Sequence, residues 1–316
     1  AAFIAGILVH AGYRTGLFTS PHLVSYRERF QLNGMMIAQE RLDQLIIELL
    51  DHAPGEVTFF ELTTALACRW FAESDVEIAV VEAGMGGRHD ATAALSGIAT
   101  VVTPISLDHC QWLGNSLEAI AAEKISITVP GSPVIAAEQP DTVHAILERH
   151  CRKHGNPLML AGRDFTAQRN ADGTLQYTSL AGTVDYPVPG LQGRYQTGNA
   201  ATALAAVEQL AKLGFPVDQQ AMRLGIAAAR WPGRFERISL EAGVDLLLDG
   251  AHNPAGSRAL AESLKEQRVQ PITLLLGMMA DKDLPGILEP LLSLTQQVFT
   301  APLAQERAVS PESLAT

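Results

Sequence analysis

Ile78-Ala79-Val80-Val81-Glu82-Ala83-Gly84-Met85-Gly86-Gly87-Arg88-His89-Asp90 is the stretch on which the reading of this chain turns. The run from Ile78 to Val81 is short and apolar, and it predicts a strand buried on both faces, as in a parallel sheet. It delivers Glu82 to a strand end and passes at once into a turn carrying Gly84, Gly86 and Gly87. In open α/β sheets ligands collect outside the carboxyl ends of the strands. A carboxylate there suits a hard cation such as Mg²⁺, which prefers oxygen ligands. Two other readings compete. Glu82 could be a solvated acid at an ordinary turn, and Gly84-Met85-Gly86 could open a dinucleotide fingerprint, although His89 stands where the third glycine belongs.

A second apolar run, Ile98 to Ile105, ends on Ser106-Leu107-Asp108-His109. Trp112-Leu113-Gly114 then turns the chain, and a helical segment from Ser116 to Glu123 presents Lys124. A carboxylate, an imidazole and a lysine are therefore expected at the ends of neighbouring elements. The residues alone leave His109 open as a structural histidine, and Lys124 as a surface lysine paired with Glu123.

The length of 316 residues allows two domains, and 47% hydrophobic content supplies their cores. A net charge of −11 speaks against a nucleic-acid or anionic-membrane partner. Cys68, Cys110 and Cys151 show neither pairing arithmetic nor metal spacing, which points to a reducing cytoplasm. No apolar run is long enough for a membrane span. Ala1 to Gly12 reads as a helix already in progress, with no N-cap residue before it and Gly12 as its stop. A strand is expected over Thr15 to Thr19, ending in Ser20-Pro21, where the Ser20 hydroxyl could ligate Mg²⁺ or serve the turn. Arg27-Glu28-Arg29 reads as a solvated face. Helices are expected from Ala38 to Leu50 and from Phe60 to Ala72, with Phe59 and Phe60 in the core.

Beyond Lys124 the pattern predicts a strand at Pro133–Ala136, a helix at Asp141–His154 and a strand at Pro157–Leu160. Phe165 to Pro187 reads as a small antiparallel flap around Asn170-Ala171-Asp172-Gly173. An alanine-rich helix runs from Gly198 to Leu213, where Asn199 could serve as the cap. Arg230-Trp231-Pro232-Gly233-Arg234 reads as a hinge between domains at 1–230 and 231–316. After it come a strand at Asp245–Leu248, a helix to about Glu266, and strands at Ile272–Leu276 and Gln297–Thr300, which is βαβ logic again. Ser310-Pro311-Glu312 looks like the start of a further helix.

Taken in order, several motifs resemble the folylpolyglutamate synthase/dihydrofolate synthase family of Mur-type ligases. They are Ser20-Pro-His-Leu, Thr58-Phe-Phe-Glu61, Glu82 to Thr92, Leu107-Asp-His109 with Trp112-Leu-Gly, Glu123-Lys124, Asn199-Ala-Ala-Thr-Ala, Pro232-Gly-Arg234, Asp249 to Pro254 and Gly277 to Asp283. The resemblance runs from the first residue to the last. It implies an α/β fold: a mostly parallel sheet flanked by helices in a Mur-ligase-like P-loop domain, a small antiparallel flap, and a second Rossmann-like α/β domain. It implies an ATP-dependent amide ligase that phosphorylates a folate-type carboxylate and lets the amine of L-glutamate attack the acyl phosphate. It further implies dihydropteroate or tetrahydrofolate as the acid, ATP as the co-substrate, and a cytoplasmic monomer.

Residue by residue, the resemblance assigns Ser20 and Glu82 to one Mg²⁺, and Glu82, His109 and a carbamylated Lys124 to a second. Glu82, His109 and Lys124 are thus its catalytic residues. Asn199, Arg234, Asp249 and His252 would contact ATP. Thr58, Phe59, Phe60, Glu61, His89, Asp90 and Ala91 would line the pterin-acid pocket, where an aromatic wall suits a pterin. The family's glycine-rich phosphate loop and its lysine stand immediately before the first helix, so the chain is expected to begin just past that loop and to stop short of the second domain's end. Two alternatives stand beside this reading: a non-catalytic fragment of such an enzyme, and a cell-wall amino-acid ligase.

Overall fold

The computed structural model describes residues 1–305 and 307–314. The chain divides into two compact units, one of Ala1–Leu191 with Thr197–Trp231, the other of Gln192–Gln196 with Pro232–Thr316. In chain order the elements open with α1 (Ala2–His10), β1 (Thr15–Phe18), β2 (Phe30–Leu32), β3 (Met35–Met36), α2 (Gln39–Asp51), α3 (Phe59–Glu73) and β4 (Ile78–Val81). There follow β5 (Thr100–Val102), α4 (Cys110–Leu113), α5 (Leu117–Ile125), β6 (Val134–Ala136), α6 (Asp141–His154) and β7 (Leu158–Leu160). The flap strands are β8 (Phe165–Arg169), β9 (Leu175–Ser179) and β10 (Gly182–Tyr186), followed by α7 (Tyr195–Lys212) and α8 (Gln219–Ala228). The last elements are β11 (Glu236–Ser239), β12 (Asp245–Leu248), α9 (Pro254–Glu266), β13 (Ile272–Leu276), α10 (Leu284–Leu292), β14 (Thr295–Thr300) and α11 (Pro311–Leu314).

In the first unit β1 is buried along its whole length, paired antiparallel with β2 and parallel with β4. Phe18 and Val81 are register partners, so the residues that follow each of them leave the sheet side by side. That register positions the site. The expected burial of Ile78–Val81 on both faces is not what forms: Ile78 is buried, whereas Ala79 is exposed. β4 is the outermost strand of the order β3-β2-β1-β4, and the face that carries Ala79 is not closed over at that residue by a packing layer as the face of Ile78 is. The second run is also shorter than expected, with only Thr100–Val102 in a ladder. Pro104 has no N–H with which to continue it. β5, β6 and β7 form an all-parallel sheet of their own, not hydrogen-bonded to β4.

The flap closes its first hairpin at Asn170-Ala171-Asp172-Gly173, where Asp172 accepts the Thr174 N–H at 3.0 Å and Gly173 takes a left-handed φ of +86°. The Tyr177 and Ser179 hydroxyls tie the flap to α7 through Glu208, at 3.1 and 2.9 Å. α7 begins at Tyr195 rather than at Gly198, so Asn199 lies inside the helix and is not its cap. The alanine face of that helix, Ala200 to Val207, is buried in the main core, and this packing carries the helix through Gly198. α1 packs against α8, an element the sequence pattern did not mark.

The second unit pairs β11 with β12 antiparallel and β13 with β14 parallel, with α10 as the crossover. Phe235, Leu260, Leu264, Leu291 and Leu294 form its core. Asn253 caps α9 by accepting the Gly256 N–H at 2.8 Å, and Pro254 occupies the first turn, where its missing N–H costs nothing. Among the described residues no helix is long and apolar enough to cross a membrane.

Candidate active site

The pairing of β1 with β4 brings Ser20 and Glu82 together. The Glu82 N–H donates to Phe18 O at 2.9 Å, which extends the ladder by one residue. The Glu82 carboxylate in turn accepts the Ser20 N–H at 3.4 Å. A hydroxyl and a carboxylate, both hard oxygen donors, therefore stand at adjacent strand ends. Among the described residues no three His, Cys, Asp or Glu side chains converge as a metal-ligand set. The Ser20–Glu82 pair fits a first Mg²⁺ by its chemistry. A second site on Glu82 and His109 would need a further anionic oxygen, which unmodified Lys124 does not supply.

The glycine turn after Glu82 is wedged between two helices. The ring of Phe60 in α3 lies over Gly84, where a Cβ would meet Cζ at 2.5 Å. On the other side, a Cβ on Gly87 would fall 2.7 Å from the Lys124 carbonyl oxygen and closer still to that of Glu123. Glu123 holds the turn a second way, accepting the Arg88 N–H at 3.1 Å. Its carboxylate makes no ion pair with Lys124; the expected surface pair does not form. Lys124 sits half-buried in the last turn of α5, whose partial negative charge favours a cation. His109 stands just before α4 with a left-handed φ of +52°, its N–H held by Asp108 at 2.9 Å. α4 and α5 pack together, and Leu113 touches Gly86. Loop, His109 segment and Lys124 helix thus meet through Leu113, Glu123 and the glycines.

Asp90 closes the turn. It is buried, and its two oxygens accept the Met85 N–H at 2.7 Å and the Thr92 N–H at 2.9 Å, with the Thr92 hydroxyl as well. Thr58 and Glu61 are likewise engaged with each other: Thr58 caps α3 and accepts the Glu61 N–H at 3.2 Å, while Glu61 accepts the Thr58 N–H at 2.7 Å. The Thr58 N–H and hydroxyl hold the Glu61 carboxyl below its ordinary value. A cavity of about 610 Å³ opens between this end of α3 and the turn, lined by Glu61, Thr64, Cys68, Arg88, His89, Asp90 and Ala91 among others. Phe60 packs on Phe18 in the core, ring centroids 6.0 Å apart. Phe59, expected there too, is 60% exposed: as the first residue of α3 it sits at the rim of the cluster, its ring 5.5 Å from that of Tyr26.

Arg27-Glu28-Arg29 is not a solvated face. Glu28 accepts the N–H groups of Leu23, Val24 and Ser25 at 2.8, 2.9 and 2.6 Å, and so pins the loop that follows Ser20. Arg29 is buried, donates to His22 Nδ1 at 3.0 Å and lies over the rings of Tyr26 and Phe59, at 5.7 and 5.4 Å. Three successive N–H groups converge on one carboxylate, a charge-assisted set that holds an otherwise exposed loop where no secondary structure does. Ser25-x-x-Glu28 is a capping-box pattern that was legible beforehand.

Burial alone would raise the Glu28 carboxyl, but the three N–H donors outweigh it and hold it below the ordinary range. Its contribution is therefore complete above the usual carboxylate pKa of about 4.3 and is lost as pH falls through the lowered value. Hydrogen-exchange protection of the Leu23, Val24 and Ser25 amides is expected to disappear in that acidic window, and at neutral pH in Glu28→Gln. Unchanged protection in that variant would show that the loop is held by something else.

In the second unit Asp249 is saturated by donors. Its oxygens accept the Tyr195 hydroxyl at 3.0 Å, the Phe235 N–H at 2.8 Å and the Ala251 N–H at 2.9 Å. Burial first, and then the Asp249 charge, push the Tyr195 hydroxyl well above its ordinary pKa, so it stays a donor. The Arg234 guanidinium lies over Gly250, and His252 Nδ1 sits 2.8 Å from Gly250 O. Arg234, Asp249 and His252 are thus neighbours. Tyr195, which donates to Asp249, carried no signal in the sequence, and Glu123, quoted there only with Lys124, gave no sign of its bond to Arg88, since each meets its partner across a long stretch of chain.

Known proteins share this fold. Residues 233–316 match the family described as Mur ligase, glutamate ligase domain. Folylpolyglutamate synthase of Lacticaseibacillus casei is 32% identical over 324 residues, spanning 98% of this chain and 75% of that protein. Dihydrofolate synthase/folylpolyglutamate synthase of Bacillus subtilis is 33% identical over 332 residues, spanning 97% of this chain and 74% of that protein. The structure of E. coli FolC in complex with DHPP and ADP superposes with a TM-score of 0.90 at 32% identity, covering 99% of this chain and 73% of that one.

Proposed function

The chain belongs to the folylpolyglutamate synthase/dihydrofolate synthase family, and from that premise we propose that it serves ATP-dependent ligation of L-glutamate to dihydropteroate or a folate. The observation that carries the reading furthest is the junction of the Glu82 turn with the Lys124 helix end, beside a cavity sized for one small molecule.

In the reaction an oxygen of the acid's carboxylate attacks the γ-phosphorus of ATP and ADP departs. The glutamate nitrogen, having lost a proton, then attacks the acyl carbon and inorganic phosphate leaves. Phosphoryl transfer asks for positioning and charge neutralisation more than for covalent help. Ser20 and Glu82 are assigned to Mg²⁺, with His109 and a carbamylated Lys124 completing a second site; bound there, the metal would neutralise phosphate charge. The cavity lined by Glu61, His89, Asp90 and Ala91 is assigned to the pterin acid; Thr58, Phe59 and Phe60, expected in the same pocket, are not among its lining residues. Thr58, Glu61 and Asp90 act by holding the wall in place, since their polar atoms are already engaged. Asn199, Arg234, Asp249 and His252 are assigned to ATP. In this set Asp249 positions Tyr195 and the 249–251 turn, and Arg234 supplies the cation. The free state of Cys68, Cys110 and Cys151 accords with a cytoplasmic site of action.

The experiment is incorporation of labelled glutamate into dihydropteroate and into tetrahydrofolate by the intact protein, with ADP release followed in parallel. ADP release that depends on both the acid and glutamate is the expected result. ATP turnover indifferent to either substrate would overturn the assignment.

A further inference from the structure

Arg88 stands on a boundary. It lines the 610 Å³ cavity on the α3 side of the turn and also a second cavity of about 440 Å³ on the α5 side, which Met85, Trp112, Leu113 and Glu123 share. The carboxylates in both walls are engaged. Glu61 receives the Thr58 N–H and hydroxyl, Asp90 receives the Met85 and Thr92 N–H groups, and Glu123 receives the N–H of Arg88 itself. The Arg88 guanidinium, by contrast, makes no ion pair and no hydrogen bond among the described residues, and the residue is exposed. Its backbone is nevertheless held, by Glu123 and by the close packing of Gly87 on the end of α5. Both cavities are therefore lined by one anchored guanidinium whose planar fork of donors is unengaged, beside His89 and beside carboxylates whose oxygens already accept other N–H groups. Beside it Trp112 presents an indole that is 72% exposed.

A guanidinium fork on a fixed backbone suits a carboxylate, which it can bind through two parallel N–H···O bonds. The two acids of the proposed reaction differ in this respect. Dihydropteroate carries a single carboxylate, the one that reacts. A folate carries the reacting γ-carboxylate and, a short distance away, an unreactive α-carboxylate. Arg88 lines the cavity assigned to the acid, so a second carboxylate carried by that acid is within the reach of the same wall.

We propose that Arg88 is a specificity-determining residue that pairs with the α-carboxylate of an already glutamylated acid, biasing the chain toward extending folates over glutamylating dihydropteroate. The inference rests on the ligase reading above. The bond is charge-assisted, so its loss is expected to change the discrimination between the two acids by about tenfold or more.

The test compares the intact protein with Arg88→Gln and Arg88→Lys, using dihydropteroate and tetrahydrofolate as acids. Two readouts are taken: kcat/KM for glutamate addition, and calorimetric binding of each acid without ATP. In Arg88→Gln the ratio of kcat/KM for tetrahydrofolate over that for dihydropteroate is expected to fall about tenfold or more, mainly through KM, and the ratio of binding constants to fall with it. Arg88→Lys, which keeps the charge without the fork, should recover part of both ratios. Unchanged melting temperatures would confirm that an exposed side chain was removed without harm to the fold. Equal losses for the two acids, or no change for either, would overturn the proposal while leaving the ligase reading intact. An unsubstituted protein that ligates neither acid would defeat the ligase reading, and one that also binds neither acid would defeat the proposal with it.

Discussion

Lys124→Ala in the intact enzyme is expected to lower glutamate ligation by a factor on the order of 10²–10³, the scale seen when one electrostatic stabiliser is removed from an active site. Added acetate or another small carboxylate is expected to restore part of the activity. A free lysine ammonium, with an ordinary pKa near 10.4, cannot ligate Mg²⁺. The neutral nitrogen can add to CO₂ and lose a proton, which replaces a cation with a carbamate whose hard oxygens suit the metal. The structure leaves this route open in one specific way: Glu123, the acid next in sequence, is turned to the Arg88 N–H and does not clamp Lys124 as an ion pair. Carboxylate rescue of the alanine variant separates a carbamate from a lysine that merely complements the end of α5. A fully active Lys124→Ala protein would remove the carbamate from the mechanism.

Gly87→Ala is the second large effect. The backbone of Gly87 is not left-handed, so alanine meets no conformational objection there. The obstacle is contact. The new methyl would press on the carbonyl oxygens of Glu123 and Lys124, backbone atoms that cannot rotate out of the way. The Glu123 carbonyl is already engaged, accepting the Ser126 hydroxyl at 2.6 Å and its N–H at 3.3 Å, so displacing it would break the cap of α5. Overpacking of this kind costs about 1–3 kcal/mol. In a unit of this size each kcal/mol lowers the melting temperature by roughly 2–4 °C. Activity should suffer more than stability. The turn carries Glu82 at one end and Arg88 at the other, and a displacement of about 1 Å can cost about 100-fold in rate. Thermal melting and ligation rates measured on the same preparation check both halves. An alanine variant with wild-type rates would mean that the loop has room the contacts deny.

The strands and helices that carry the chemistry were legible because each satisfies a local rule. Ile78–Val81 is apolar and ends at a polar turn, Asp141–His154 has helical periodicity with Gly155 at its stop, and Asn170 to Gly173 is turn chemistry between alternating runs. The hairpin of β2 and β3 carried such a signal as well, in the Asn33-Gly34 pair, whose φ angles are both positive. The motifs were legible in the same sense: they placed Glu82 at a strand end, and Glu61 with Asp90 beside one cavity.

Other features depend on atoms distant in the chain, and no local window holds them. That Ser20 meets Glu82 follows from the parallel register of β1 with β4. Whether Glu123 pairs with Lys124 or reaches back to Arg88 is decided by how tightly Gly87 packs on the end of α5. Asp249 is engaged because Tyr195, Phe235 and Ala251 converge on it, and Glu28 became a loop anchor because the fold turns three successive N–H groups toward its carboxylate. By itself the sequence determined periodicity, turns and caps, since those are set by neighbours within a few residues. Only the tertiary structure decided which polar atoms are engaged and which, like the Arg88 guanidinium, stay available, because a hydrogen bond is satisfied by distance in space and not by spacing in the chain.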